Sequence, residues 1–216
     1  MPTIAPDKLQ DIARKLLMGA GASQNESEII SRHSIGANLA GHDSHGIIQI
    51  PTYIDRMDRG HIVPGAEYEI LKESATTTVV DGHWGFGYVV TERTMQLTIE
   101  KAKTQNVAAA TVHRQSHVGR LASYPLMAAK ADMIAMITAD SGRSAKGVVP
   151  FGGKEKRLGT NPISFAMPSD LEGPFFLDMA TSAVAAGKIN LAKARGNKVP
   201  EGWILDSDGR PPTDPN

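Results

Sequence analysis

Apolar residues recur at helical spacing from the start of the chain. Leu9, Ile12, Ala13, Leu16 and Leu17 share one face of residues 6–18, Pro6 suits the first turn, and Gly19 and Gly21 end the run. Ser23-Gln24-Asn25-Glu26 is a Ser-x-x-Glu capping box, in which each of the two side chains satisfies a backbone N–H that would otherwise lack an acceptor. It predicts a second helix running to about Leu39 and stopping at Gly41. A third is predicted over Pro51–Arg59, closed by Gly60. The texture then changes to short apolar runs. Tyr68–Leu71, Thr76–Val80, Val107–Val112, Met133–Thr138, Ile163–Met167 and Phe175–Leu177 predict strands, with helices over residues 88–104, Leu121–Ala131 and Ala183–Ala194. Alternation of this kind predicts an α/β fold: a helical segment over residues 1–60, then an α/β unit over 61–216. Pro200, Pro211, Pro212 and Pro215 punctuate residues 196–216, and no element follows them. A loop this long ordinarily leads into more structure, so the chain reads as cut within a domain.

Composition narrows the picture. Of 216 residues, 41% are hydrophobic and 21% charged, which is globular rather than disordered. The 23 basic and 23 acidic residues balance, giving no reason to expect nucleic acid or an anionic membrane as partner. The absence of cysteine excludes disulfides, thiolate nucleophiles and cysteine-based metal centres. The opening MPTIAPDKLQ lacks a basic segment followed by an apolar run, and Met133–Ala139 is far too short to span a bilayer. A soluble cytoplasmic protein is the expectation.

Four segments are dense in groups that could do chemistry. Gly41-His42-Asp43-Ser44-His45-Gly46 ends the second helix, with glycines that let backbone come close to a ligand. It reads as a solvated capping loop, as a metal site through His42 and His45 with Asp43, or as an acid–base site through His45. Beyond His42, Asp43 and His45, the metal reading lacks a third histidine or a further carboxylate at matching spacing. The acid–base reading rests on an imidazole that exchanges protons near neutrality, with Ser44 beside it to orient or relay. A hydrolase built on Ser44 and His45 is disfavoured, because adjacent residues seldom aim a nucleophile and its base at each other. Ser116-His117-Val118-Gly119-Arg120 follows a predicted strand, where α/β proteins place their sites; it suits a substrate oxygen, a carboxylate or a phosphate, or is an exposed polar loop. Phe151-Gly152-Gly153 with Leu158-Gly159-Thr160-Asn161-Pro162, and Phe176-Leu177-Asp178-Met179-Ala180-Thr181-Ser182, offer amides and hydroxyls to a diphosphate or ribose; turn and capping roles explain them equally well. No Gly-x-Gly-x-x-Gly follows a strand, and Gly82-His83-Trp84-Gly85-Phe86-Gly87 has the wrong spacing.

Taken in order, these segments resemble the malate/L-lactate dehydrogenase type 2 family. The matching stretches are Ala37–Gly46, Ser116–Arg120, Pro150–Gly153, Gly159–Pro162, Leu177–Ser182 with Gly187-Lys188, Pro200–Trp203 and Pro212–Pro215. The His-x-Gly-Arg loop is similar to that of the hydroxycarboxylate dehydrogenase branch. The resemblance implies a non-Rossmann nicotinamide-binding fold of the L-sulfolactate dehydrogenase type, a homodimer, and hydride exchange between NAD or NADP and a small 2-hydroxy or 2-oxo acid, with no metal. It implies that His45 is the proton donor or acceptor supported by Ser44. His117, Val118 and Gly119 would line the substrate and nicotinamide pocket, and Thr160 would touch substrate. Ser141, Asp178, Met179, Ala180, Thr181 and Lys188 would help hold the dinucleotide. A cyclic 2-imino acid reductase, or a catalytically silent dimeric or ligand-binding fragment, are the alternatives. The sequence departs from the family pattern twice. Gln49 stands where many relatives place an arginine for the substrate carboxylate, and a later glycine-rich segment that contributes to the cofactor site is not in this sequence. Arg120 is the candidate replacement cation unless it is solvent-exposed or binds a cofactor phosphate, with Arg56, Arg143 or Lys188 next.

Overall fold

In the computed structural model, which describes residues 4–140, 143 and 146–216, Ser23 and Glu26 form the capping box in full. The Ser23 Oγ accepts from the Glu26 N–H at 3.3 Å and the Glu26 carboxylate accepts from the Ser23 N–H at 2.9 Å. Glu26 does more than cap. Its other oxygen accepts from the Gly65 N–H at 2.7 Å, tying helix α2 (Gln24–Leu39) to the chain ahead of the first strand. Helix α1 (Pro6–Gly19) packs on α2 through Ala13 and Leu17. At its far end α2 closes in a Schellman turn: the His42 N–H donates to the Ala37 carbonyl at 2.8 Å and the Gly41 N–H to that of Asn38 at 2.9 Å, with Gly41 left-handed at φ 77°. Two single-turn 3-10 segments, Asp43–His45 and Ile47–Gln49, then lead into α3 (Ile50–Asp58).

Strand β1 (Glu69–Glu73) pairs antiparallel with β2 (Thr77–Asp81), and helix α4 (Gly87–Gln105) carries the chain to β3 (Ala109–His113), which lies parallel to β2. The loops after β2 and β3 therefore emerge at the same edge of this sheet. Arg114 closes that edge by pairing with Asp81, whose carboxyl it holds down to about 2. Glu69 and His83 approach the same carboxylate, but the guanidinium already occupies it.

The predicted helix Leu121–Ala131 is two pieces. Pro125 cannot donate to the preceding turn, so a 3-10 turn (Leu121–Ser123) ends there and α5 (Pro125–Ala129) starts with that proline in its first turn. A second sheet follows, β4 (Ala135–Thr138), β5 (Ile163–Met167) and β6 (Phe175–Met179), antiparallel throughout with β5 central. Helix α6 spans Ala186–Ala194, starting three residues later than the sequence predicts. Register places Met136, Phe165 and Leu177 side by side, and Ile163 beside Met179. This face, with Ile134 at 74% and Met136 at 67% exposure, is apolar and open; α5 packs on the same sheet. The main core gathers Leu17, Ile30, Ile50, Tyr53, Ile62, Phe86 and Tyr88, so it joins the helical segment to the βαβ unit. No described helix is long and apolar enough to cross a membrane.

Candidate active site

The turn after α2 is shaped by Asn38. Its Oδ1 accepts from the Ile47 N–H at 2.9 Å and its Nδ2 donates to Asp43 at 2.6 Å, so the chain from 43 to 47 wraps around one amide. Gln49 completes the wrap by donating from Nε2 to the Ser44 carbonyl at 2.8 Å. Its amide is thus engaged in holding the turn. Within it, Ser44 Oγ lies 3.0 Å from His45 Nδ1. The adjacent pair does meet, which sequence spacing alone argues against; the tight 3-10 turn Asp43–His45 brings the two side chains together.

His117 arrives from the loop after β3. Two glycines make its position possible. A Cβ on Gly87 would fall 2.3 Å from the Ser116 carbonyl oxygen and 2.5 Å from that of His117, and a Cβ on Gly119 would fall 2.1 Å from the Tyr88 ring. Gly119 is also left-handed, at φ 69°. The start of α4 can therefore press against the loop, with the Gly87 N–H donating to Ser116 Oγ at 2.9 Å and Tyr124 donating to the Val118 carbonyl at 2.6 Å. His117 Nδ1 lies 2.8 Å from the Tyr53 hydroxyl, itself 3.1 Å from the Tyr88 hydroxyl. The Tyr88 hydroxyl also reaches the His45 carbonyl at 3.4 Å.

The result is a stacked pair of imidazoles, His45 and His117, with centroids 5.7 Å apart and planes 26° from parallel. Each is held at Nδ1, and neither Nε2 has a hydrogen-bond partner among the described residues. Burial is the main cause that lowers both pKa values. His42 adds to the effect on His45 while Asp178 opposes it; on His117, His45 and Arg56 add to it, bringing the value to about 4. Burial also raises the hydroxyls of Tyr53 and Tyr88 above the usual phenol range. Two neutral bases, each presenting one ring nitrogen, suit proton exchange with a small oxygen-bearing substrate.

Of the other expected residues, Asp178 comes near enough to His45 to act on its charge. Asp178 on β6 accepts the Ala122 N–H at 2.8 Å. The Thr181 N–H reaches the Thr160 carbonyl at 3.3 Å and the Thr181 hydroxyl donates to the Asn161 carbonyl at 2.8 Å, so the Gly159–Pro162 and Asp178–Ser182 segments are one unit. Met179 and Lys188 are exposed and Ala180 is half-buried. Ser141 lies outside the described residues. Arg120 lines a cavity that neither His45 nor His117 lines, and Arg143 stacks on Trp84 at 3.8 Å. Tyr53 and Tyr88 carry no motif; only the glycines beside Tyr88 and at 119 hint that something must approach closely there.

The family profile described as malate/L-lactate dehydrogenase matches residues 4–216. The chain belongs to that family. Among the dehydrogenases of this family, hydroxycarboxylate dehydrogenase B of Escherichia coli O157:H7 is 38% identical over 195 residues, covering 90% of this chain and 54% of the relative. The sulfolactate dehydrogenase structure from Methanocaldococcus jannaschii superposes with a TM-score of 0.90 at 37% identity, covering 98% of this chain and 60% of that one. The Δ1-piperideine-2-carboxylate reductase structure from Pseudomonas syringae gives 0.92 at 28% identity, covering 100% and 64%. The chain thus spans little more than half of the length of the malate/L-lactate dehydrogenase relatives it matches, and its fold is theirs over that span.

Proposed function

We propose that this chain carries the acid–base centre of an NAD(P)-dependent oxidoreductase acting on small 2-hydroxy and 2-oxo acids. The observation that carries the reading is the convergence of His45 and His117, each held at Nδ1 and each leaving Nε2 without a partner among the described residues. The relatives named as hydroxycarboxylate, sulfolactate and malate dehydrogenases support it.

In this reading the Ser44 hydroxyl orients the His45 ring, and His45 Nε2 takes the substrate hydroxyl proton during oxidation and returns it during reduction. The lowered pKa leaves His45 neutral and ready to accept that proton near pH 7. Because the Tyr88 hydroxyl turns to the His45 carbonyl, the Tyr53 hydroxyl donates its hydrogen bond to the Tyr88 oxygen. His117 then keeps its own proton on Nδ1 and offers a lone pair at Nε2. His117 and Val118 line the substrate, and Gly119 lets the loop close against Tyr88. Thr160 would contact the substrate as well. Arg56 is the cation for the carboxylate: it sits one turn beyond Tyr53 on α3, acts electrostatically on His117, and has no ion-pair partner among the described residues. Gln49, committed to Ser44, shapes the turn that presents His45.

The residues fit a dinucleotide. The N–H groups of Ala180 and Ser182 have no acceptor among the described residues, and with the Thr181 hydroxyl, Asp178, Met179 and Lys188 they would hold an anionic, ribose-bearing group. The nicotinamide supplies hydride acceptance and donation; these side chains supply orientation and proton handling. A cytoplasmic homodimer completes the reading.

Following NADH and NADPH absorbance across a panel of 2-oxo acids, with this chain and with a longer one, tests it. The panel includes a cyclic 2-imino acid, since the fold is also that of a piperideine-2-carboxylate reductase. Turnover of a 2-oxo acid is expected, at least with the longer chain, and its absence from both with either nucleotide overturns the proposal.

A further inference from the structure

The cavity lined by Arg120, of about 430 Å³, lies between α2, α4 and the segment running into α5, and Arg32, Glu92, Gln96, Ser123 and Lys130 also line it. That volume is in the range of small-molecule sites. Its charges do not balance. Arg32 is matched, donating at 2.9 Å to both oxygens of Glu92, which also meets His33 Nε2 at 2.5 Å. Arg120 is not. Its Nε is buried with no hydrogen-bond partner, and the guanidinium rests over the Phe176 ring at 5.2 Å. The nearby Asp178 carboxylate spends a hydrogen-bonding oxygen on the Ala122 N–H rather than on Arg120. Lys130 is exposed and has no ion-pair partner among the described residues. A guanidinium withdrawn from water without an anion is costly. Burial accordingly pulls the Arg120 pKa down.

We propose that this cavity binds a phosphate-bearing small molecule, with Arg120 and Lys130 as its cationic ligands and the Ser123 hydroxyl as a donor. Two unmatched cations call for a dianion more than for a single carboxylate, and the planar fork of Arg120 matches paired phosphate oxygens. Arg120 follows His117 by three residues, so an occupant here and a substrate at the imidazole pair hold one short loop between them. The proposal rests on the function proposed above only for the source of the phosphate, which is either the dinucleotide or a free phosphorylated compound.

Calorimetric titration of the 216-residue chain with inorganic phosphate, at constant ionic strength with chloride as the reference anion, tests it. Saturable binding is expected, weakened roughly tenfold or more in Arg120→Met and in Lys130→Met, as loss of a charged hydrogen bond implies. It should be unchanged in Lys15→Met, where the lysine lies on the exposed face of α1 beside Asp11. It should also survive in His45→Ala, which separates failure of this site from failure of the acid–base centre. Displacement of phosphate by NADPH alone, by NADH and NADPH equally, or by neither assigns the site to the 2′-phosphate, to the pyrophosphate or to a separate ligand. Absence of saturable binding, or binding indifferent to both Arg120→Met and Lys130→Met, overturns the proposal.

Discussion

His45 and His117 are anchored the same way by different means: a serine next door in one case, a tyrosine from another helix in the other. Each anchor fixes one nitrogen and so defines what the opposite nitrogen can do. His45→Ala should lower turnover by about two to four orders of magnitude, the usual worth of a positioned acid–base group, and steady-state rates at saturating substrate check this. In the oxidation direction kcat/KM should fall towards acid pH with an apparent pKa below 6.5, because protonated His45 cannot accept the hydroxyl proton. His117 makes a thermodynamic prediction as well. It is depressed to about 4 in the folded chain, against about 6.5 when unfolded. Between those values the unfolded state binds the extra proton, so stability is full above about 6.5 and drains as pH falls towards 4, by about 3 kcal/mol at full extent. Urea unfolding across that range should show the slope, and His117→Gln should flatten it. The sequence exposes both histidines through their glycine-flanked segments. It hides Tyr53 and Tyr88, because a buried tyrosine on an amphipathic helix looks like any core residue until its hydroxyl is seen to have a partner.

Elements with strong punctuation are legible in advance. The capping box, Gly41 and Gly60 place α2 and α3 within a residue or so, and Ile163–Met167 is found as predicted. Where local rules compete, the reading slips: the apolar period runs through Pro125, but the backbone cannot. What no local rule supplies is the tie between elements. Glu26 caps α2 and also holds Gly65, so Glu26→Ala should cost more than Ser23→Ala, which removes a cap alone at about 1 kcal/mol; paired urea melts measure the difference. Gly119→Ala combines left-handed strain, roughly 1–3 kcal/mol, with a clash against Tyr88. It should destabilise the fold and, in whatever remains folded, push His117 away from Tyr53. An equally stable, equally active Gly119→Ala chain would refute the packing argument.

At the scale of the molecule, a βαβ unit with a helical cap delivers two loops to one edge, and an antiparallel sheet stands beside them with one face bare. The α/β class is legible from alternation; the second sheet's antiparallel order is not, since short apolar strands look alike whichever way they pair. A bare apolar sheet face on this scale is prone to association. The chain should therefore bind hydrophobic dyes and sediment with a concentration-dependent average mass, and Met136→Lys with Leu177→Lys should suppress both without lowering the melting temperature. That face has a chemical consequence too. In a chain without cysteine, methionine thioethers are the sulfur that peroxide meets first. Met136 and Met179 stand open at 67% and 46% exposure, whereas Met57 is shut in the core at 9%. Brief peroxide treatment followed by peptide mass analysis would write sulfoxide on the first two and spare the third. Any partner or further stretch of chain that settles over the sheet would be recorded, residue by residue, as methionine that failed to oxidise.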